Sequence, residues 1–173
     1  IKLNIVNLLQ GAGVEKEEVV RERILQQILE IRNNDTKPER LRELLAAWER
    51  DYGPDYNEIA GEILAEHLTR NAKAWVKEHN LSTAADIIRD MWEGWTDGEF
   101  TIEKTGHGYQ IRCTKCPHAD AYLAIGRKDY GLLFKCDEDF AIYKAYPDVV
   151  FRRTKTLMEG DDCCDHFFSD KEK

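Results

Sequence analysis

Through the first 95 residues the hydrophobic positions recur every three or four residues, which is the spacing of one buried helix face. The pattern predicts four helices: one over Val14–Arg32, one opening near Pro38, one from Asp55 to about His79, and one beginning at the cap candidate Ser82. The positions predicted to be buried are Val20, Ile24, Ile28, Ile31, Leu41, Leu44, Leu45, Trp48, Ile59, Ile63, Leu68, Ile87, Ile88, Met91, Trp92 and Trp95. The indoles among them are predicted to be core or pocket wall, because large aromatic side chains are usually buried.

Two local signals refine this pattern. Thr36 followed by Glu39 matches a capping box, and Pro38 fits the first turn of a helix, where its missing N–H costs nothing. The apolar positions within Ile1–Gly13 fit either one helical turn or a docking arm, so no element is assigned there.

Beyond Gly98 the apolar spacing changes to a period of two, which is typical of β-strands. A turn at Thr105–Gly108 joins the first two predicted strands into a hairpin. The predicted elements of this part are the strands Glu99–Glu103 and Tyr109–Cys113, helices over Pro117–Ile125 and Asp137–Ala145, and a second hairpin of Val149–Leu157 with Asp162–Ser169. The predicted fold class is α+β, with N-terminal helices packed on one face of a small antiparallel sheet built from two hairpins with helices between them.

Length and charge narrow the class of protein. At 173 residues, 42% of them hydrophobic and 34% charged, the chain can bury one good core. We therefore predict a single domain over residues 1–173, helical over 1–95 and hairpin-helix-hairpin over 96–173. A net charge of -8 argues against a nucleic-acid partner, because phosphate binding needs a clustered basic surface. No apolar run approaches the roughly 20 residues of a membrane helix, so no membrane partner is expected.

All five cysteines lie between residues 113 and 164. Their number is odd, and their close spacing disfavours local disulfides, so thiols kept reduced in the cytoplasm are the preferred interpretation. Thiolates, imidazoles and carboxylates are the groups from which nucleophiles, general bases and metal ligands are drawn. This third of the chain is therefore the predicted functional region.

Helix N-termini favour thiolate over thiol, because their unpaired N–H groups and partial positive charge stabilise the anion. Pro117 at the start of a helix would put Cys116 at its cap, and a helix capped by Asp137 would put Cys136 just ahead of its N-terminus. Asp139 follows within one turn and can move a proton. Cys136 is therefore the first candidate for a nucleophile, with Cys116 close behind.

Side chains along the predicted last strand alternate between the two faces of the sheet. Cys164 and His166 share one face with Phe168, and Cys163 shares the other with Asp165. One of the two adjacent cysteines must face away from any site, and Cys113 and Cys163 are the predicted packing residues.

Other interpretations of the same residues stay open. Cys113 and Cys116 have the spacing of two zinc ligands, which Cys136, Cys164, His118 or His166 could complete. Because no second Cys-x-x-Cys follows, no metal and no cofactor is predicted. The two histidines could equally be partly exposed polar residues, and Arg153 could hold a substrate carboxylate through a bidentate contact.

Three segments together resemble the L-2-amino-thiazoline-4-carboxylic acid hydrolase family: Cys-Pro within residues 113–120, Cys-x-x-Asp at 136–139, and Gly-Asp-x-Cys-Cys-Asp within 153–166. The likeness covers roughly Asp86–Phe168. Its final motif also resembles the small-molecule-binding 4-vinyl reductase domain. The motif positions that carry over are Cys116, Cys136, Asp139, Cys164 and Asp165. The chain departs from the pattern at His166, where the family often has an aromatic residue.

The resemblance implies hydrolytic opening of a cyclic 2-aminothiazoline that carries a carboxylate. The hypothesis is a hydrolase in which a thiolate attacks the amidine carbon, Asp139 or Asp165 moves protons, and Arg153, His118 and His166 contact the substrate. The alternative is a binding module that senses a small molecule or metal without turnover. The Trp-rich helices could also form a homodimer. Either of the first two functions requires Cys116, Cys136 and Cys164 to converge on one cavity.

Overall fold

A computed structural model describes residues 17–172 of the chain. The elements of the N-terminal part are α1 (Glu17–Arg32), α2 (Pro38–Asp51), a 3-10 turn (Pro54–Tyr56), α3 (Asn57–His79) and α4 (Ala84–Ile87), which continues as a π-helical turn (Ile88–Trp92). The predicted helices are confirmed. The two alternatives left open for Ile1–Gly13, and the predicted first turn from Val14, lie outside the described residues.

The C-terminal part alternates strands with short helical segments. Its elements are β1 (Glu99–Thr105), β2 (Gly108–Lys115), α5 (Pro117–Ala124), α6 (Lys128–Gly131) with a π-helical continuation (Leu132–Cys136), α7 (Glu138–Ile142) with a 3-10 turn (Tyr143–Ala145), β3 (Val149–Arg152), a 3-10 turn (Leu157–Glu159) and β4 (Cys164–Asp170).

The four strands form one antiparallel sheet in the order β1-β2-β4-β3. Ile102 pairs with Ile111, which in turn pairs with His166 on β4. Burial alternates along β4, where residues 164, 166 and 168 are buried and residues between them are more exposed. The sheet thus turns one face to the core, and the predicted α+β class is confirmed.

Two hydrophobic clusters stand behind that face. The first combines α1, α2 and α3 with α5, the α6 segment and Met158, and includes the fully buried Trp48. The second combines α4 and Ala72 and Val76 of α3 with the inner face of the sheet. Cys116 and Leu157 pack against both clusters, so the junction between the clusters runs through the cysteine region.

A glycine permits one close approach at this junction. A Cβ on Gly131 would lie 2.3 Å from the sulfur of Met158 and 2.9 Å from the ring of Tyr122. Only glycine therefore lets the α6 segment pack this tightly on the turn that contains Met158. The contact brings the end of that segment, Cys136, next to Thr156.

The first strand of the second hairpin is shorter than predicted. It ends at Arg152 rather than Leu157, because the following backbone bonds to a side chain instead of a strand. The N–H groups of Thr154 and Lys155 donate to Asp165 at 2.7 and 2.6 Å. Thr156 then begins the 3-10 turn.

Two predicted helix caps are displaced by one residue. The cap of α2 is Lys37, with φ −118° and ψ 93°, so the predicted Thr36 capping box is wrong. A residue before proline is pushed to this extended geometry, which fixes the cap position next to Pro38. The cap of α4 is Thr83 rather than Ser82, and it forms a reciprocal capping box with Asp86.

This difference provides a test of the α4 cap. We expect Thr83→Ala to lower the free energy of unfolding by about 1 kcal/mol, because the Asp86 N–H loses its acceptor. The neighbouring Ser82→Ala should change it by less than about 0.5 kcal/mol, since that hydroxyl caps nothing. Urea unfolding of both variants measures the difference, and equal effects would contradict the assignment.

Candidate functional site

A cavity of about 240 Å³ opens at the junction of the two clusters. Its lining residues are Met91, Trp92, Trp95, Cys113, Cys116, His118, Lys135, Cys136, Glu138, Asp139, Tyr143, Arg153, Cys164 and His166. The structure thus brings the segments around residues 116, 136 and 164 together. Four thiols, two imidazoles, two carboxylates and two cations meet there against an aromatic wall.

Cys164 is the thiol with the strongest support for a negative charge. Three groups surround its sulfur: Cys113 lies directly opposite on β2, the N–H of Leu157 donates to the sulfur at 3.3 Å, and Oγ1 of Thr156 lies 3.6 Å from it. The hydrogen bond from Cys113 is the largest cause that lowers the pKa of Cys164, and these contacts together outweigh burial.

Cys113 is the neutral partner in this pair. Its side chain is buried, as a packing residue would be, but its thiol also contacts Cys164. Its interaction with Cys164 and its burial both raise the pKa of Cys113, and its thiol donates to the carbonyl of Lys115 at 3.3 Å. Cys113 therefore acts on the chemistry of the cavity rather than only filling space, a role that the sequence pattern does not indicate.

Cys136 is not the favoured thiolate that its position suggested. It is the last residue of the π-helical continuation of α6, and Asp137 separates it from α7. Burial dominates and raises its pKa to about 12, although Thr156 and Arg153 act in the opposite direction. Its sulfur lies 3.6 Å from Oγ1 of Thr156.

Cys116 caps α5, with Pro117 at the first helical position, as predicted. The expected stabilisation by the helix N-terminus is present, because the N–H groups of Ala119 and His118 lower its pKa. Burial is nevertheless the largest cause, and the pKa of Cys116 is raised overall. The expected low pKa is therefore wrong for Cys116 as well as for Cys136.

Asp139 ties together an imidazole and a guanidinium. Its Oδ2 accepts from Nη1 of Arg153 at 2.7 Å and from Nε2 of His166 at 3.0 Å. A carboxylate only accepts, so the hydrogen of the neutral imidazole is on Nε2. The lone pair is then on Nδ1 of His166.

That Nδ1 is the functionally interesting atom of His166. It is buried and makes no hydrogen bond among the described residues. Buried polar atoms are rarely left unpaired in proteins, so an unpaired one in a cavity wall is available to a ligand, a reacting group or a water molecule. His166 and Cys164 are both buried on the inner face of β4 and both line the cavity.

Arg153 lines the cavity but is held by the protein itself. Besides Asp139, its Nη1 donates to the carbonyl of Cys136 at 2.6 Å, and its Nη2 lies 3.6 Å from Asp137. Its side chain is only 7% exposed. Arg153 therefore holds Asp139 and the end of the α6 segment in place, which leaves its expected bidentate contact with a substrate carboxylate without support.

A second polar network lies on the other side of the thiols. Nδ1 of His118 lies 2.7 Å from the buried Asp35. Lys135 lies 2.8 Å from Glu138, which Arg32 also contacts. His118 thus lines the cavity as expected, whereas Lys135 and Glu138 were not singled out from the sequence.

Asp165, a predicted catalytic residue, does not reach the cavity. It points to the outer face of the sheet, where Oδ2 accepts from the hydroxyl of Thr154 and Oδ1 from two backbone N–H groups. The alternation of β4 places it opposite its neighbours. Asp165 therefore organises the loop after β3. Cys163 is buried outside the cavity lining, in agreement with its predicted packing role.

Thr156 is a functional candidate that sequence reasoning missed. It is 2% exposed, and its Oγ1 accepts from the N–H of Met158 at 3.2 Å. Its single hydroxyl hydrogen can be donated to the sulfur of Cys136 or to that of Cys164. No spacing rule marks this residue, since its role arises from the displaced loop after β3.

Residues 17–172 contain no group of three or more His, Cys, Asp or Glu side chains that could hold a metal ion. Nor does any helix in that range combine the length and apolar character that crossing a membrane requires.

The fold and cavity define an α+β protein with a thiol-lined cavity. The model of the L-2-amino-thiazoline-4-carboxylic acid hydrolase family matches residues 18–168, and the chain belongs to that family. The suspected resemblance is confirmed, and it extends into the N-terminal helices.

Two further comparisons add little. No curated protein matches the chain significantly. A solved structure, a trafficking protein particle complex subunit 3 from Naegleria fowleri covalently bound to palmitic acid, is 14% identical with a TM-score of 0.45, over 81% of this chain and 96% of that one. A likeness this weak carries no argument about function.

The thiol pKa shifts predict which cysteine reacts. In limiting iodoacetamide, Cys164 should be alkylated fastest, with a rate that rises through a midpoint below the ordinary value of about 8.5. Cys136 should react only at high pH. Peptide mass spectrometry over a pH series measures both, and uniformly slow alkylation near neutral pH would contradict the assignment.

The hydroxyl of Thr156 should tune this reactivity. We expect Thr156→Val to move the Cys164 midpoint upward by up to about one pH unit, or ~1.4 kcal/mol, because the thiolate loses a donor. Thr156→Ser keeps the hydroxyl and should keep the midpoint. If both variants leave the pH profile unchanged, Thr156 only packs.

Proposed function

We propose that the protein is a cysteine-dependent hydrolase that opens the ring of a small cyclic amidine carrying a carboxylate. The observation that carries the proposal is the unpaired Nδ1 of His166, in the same cavity as a thiol of lowered pKa, Cys164. Family membership supports the reaction class. The cavity, at about 240 Å³, is below the ~300–1,000 Å³ of sites for drug-sized ligands and suits a small ring.

The first step is formation of the nucleophile. The proton of the Cys164 thiol passes to Nδ1 of His166, and Asp139 stabilises the resulting imidazolium through Nε2. Arg153 orients Asp139 by its contact at 2.7 Å. This division of roles replaces Cys136 with Cys164 as the preferred nucleophile.

The thiolate then attacks the amidine carbon. A bond forms between the Cys164 sulfur and that carbon, the C–N bond of the ring breaks, and the departing nitrogen takes the proton from His166. Neutral His166 next removes a proton from water as the water attacks the same carbon. The carbon–sulfur bond breaks, and the carbamoyl product leaves Cys164 free.

The aromatic wall supports recognition of a flat ring. Trp92 packs against His166 with ring centroids 4.8 Å apart, and Trp95 stacks on Phe100 at 5.5 Å. Met91 and Tyr143 extend the same wall. A planar amidine can lie against this surface while its carbon faces the sulfur.

The proposal predicts a graded loss of activity towards L-2-amino-thiazoline-4-carboxylate. Cys164→Ala should lower kcat by at least ~10³-fold, because the nucleophile is gone. His166→Asn should lower it by about 10²–10⁴-fold, because no base remains. Product formation measured by chromatography tests both.

The adjacent Cys163→Ala is the matched control, because this thiol lies outside the cavity lining. It should retain kcat near wild type. Full activity in Cys164→Ala would contradict the mechanism. A wild-type protein that binds the compound without hydrolysing it would favour the alternative, a binding module.

A further inference from the structure

The charged groups around the cavity form two networks that differ in net charge. In the first, a single carboxylate, Glu138, is shared by two cations, Arg32 and Lys135, and the buried Asp35 also acts on Lys135. In the second, a single guanidinium, Arg153, is shared by two carboxylates, Asp137 and Asp139. The first network is thus neutral overall, whereas the second carries one net negative charge.

The first, neutral network includes one cation that reaches the cavity. Lys135 lines it, and its side chain is largely buried at 24% exposure. Burial alone would lower the pKa of Lys135, but Glu138 outweighs this effect and the pKa is raised, so the ammonium group stays charged. It has three donors. His118, whose partner Asp35 also acts on Lys135, lines the same side.

The second, negative network adjoins the reacting groups. Asp139 is the better shielded of its two carboxylates, with 17% side-chain exposure against 57% for Asp137. It contacts His166, and the Cys164 thiolate adds to the negative charge there. In a buried site such charges act with little screening. A cationic group is therefore favoured next to the nucleophile.

We propose that Lys135 is the carboxylate-binding residue of the site, and that the cavity selects small zwitterions whose amidinium group faces Asp139 and Cys164. The inference rests on the proposed function for the identity of the amidinium compound, but the difference in charge between the networks stands without it. It assigns to Lys135 the contact that was expected of Arg153, whose Nη1 already serves two protein oxygens.

Binding to a protein that cannot turn over is the test. In the Cys164→Ala background, calorimetry compares L-2-amino-thiazoline-4-carboxylate with 2-amino-2-thiazoline, the same ring without the carboxylate. Lys135→Met should weaken binding of the carboxylate compound by about 10- to 100-fold and leave the ring compound nearly unchanged. Lys135→Arg keeps the charge and should restore most of the affinity.

The matched control is Lys128→Met, an exposed lysine at the start of α6 outside the cavity lining. It should leave both affinities as they are. Circular dichroism checks that Lys135→Met is folded, and Arg32 remains there to pair with Glu138.

The outcomes separate this inference from the proposed function. Equal weakening of both compounds, no weakening of either, or no binding of the carboxylate compound would overturn the role of Lys135. If wild-type protein hydrolyses the compound while Lys135→Met binds it normally, the proposed hydrolase function is supported and the proposed Lys135 contact is refuted. If binding depends on Lys135 but wild-type protein does not hydrolyse the compound, the proposed Lys135 contact is supported and the proposed hydrolase function is refuted.

Discussion

The proposed chemistry depends on the polar groups that the fold gathers around one buried sulfur, Cys164. Burial raises the pKa of a thiol, and it does so for Cys116 and Cys136 in the same cavity. The pKa of Cys164 is lowered instead, because the sheet register places Cys113 opposite it. The loop after β3 also places the Leu157 N–H and the Thr156 hydroxyl beside its sulfur. A buried thiolate is possible only where the protein replaces the water it has removed.

The scaffold is arranged so that this replacement is available. The loop after β3 leaves the sheet because Asp165, on the outer face of β4, takes its N–H groups, and the same departure brings Thr156 over the two sulfurs. Gly131 lets the α6 segment close down on Met158 beside that loop. Asp165, although outside the cavity, therefore holds the loop that supplies donors to Cys164.

Periodicity predicted the helices and the sheet well because burial of one face is a local pattern in the sequence. It also put Cys164 and His166 on the same face of β4. The expected low pKa of Cys136 was not found, for a physical reason. Helix N-termini can be recognised from Pro117 or Asp137, but the burial that overrides them depends on contacts between distant segments. The pairing of Cys113 with Cys164 is set by strand register, which the sequence does not display.

The same limit applied to the carboxylate contact and shows how charge should be judged in a buried site. Arg153, beside the last hairpin, was the predicted carboxylate contact, yet the fold gives it two acidic partners and a carbonyl. Lys135 pairs with Glu138 three residues on, and Arg32 from α1 also contacts that carboxylate. The net charge of each network, rather than the presence of a cation, decides which side of the cavity attracts an anion.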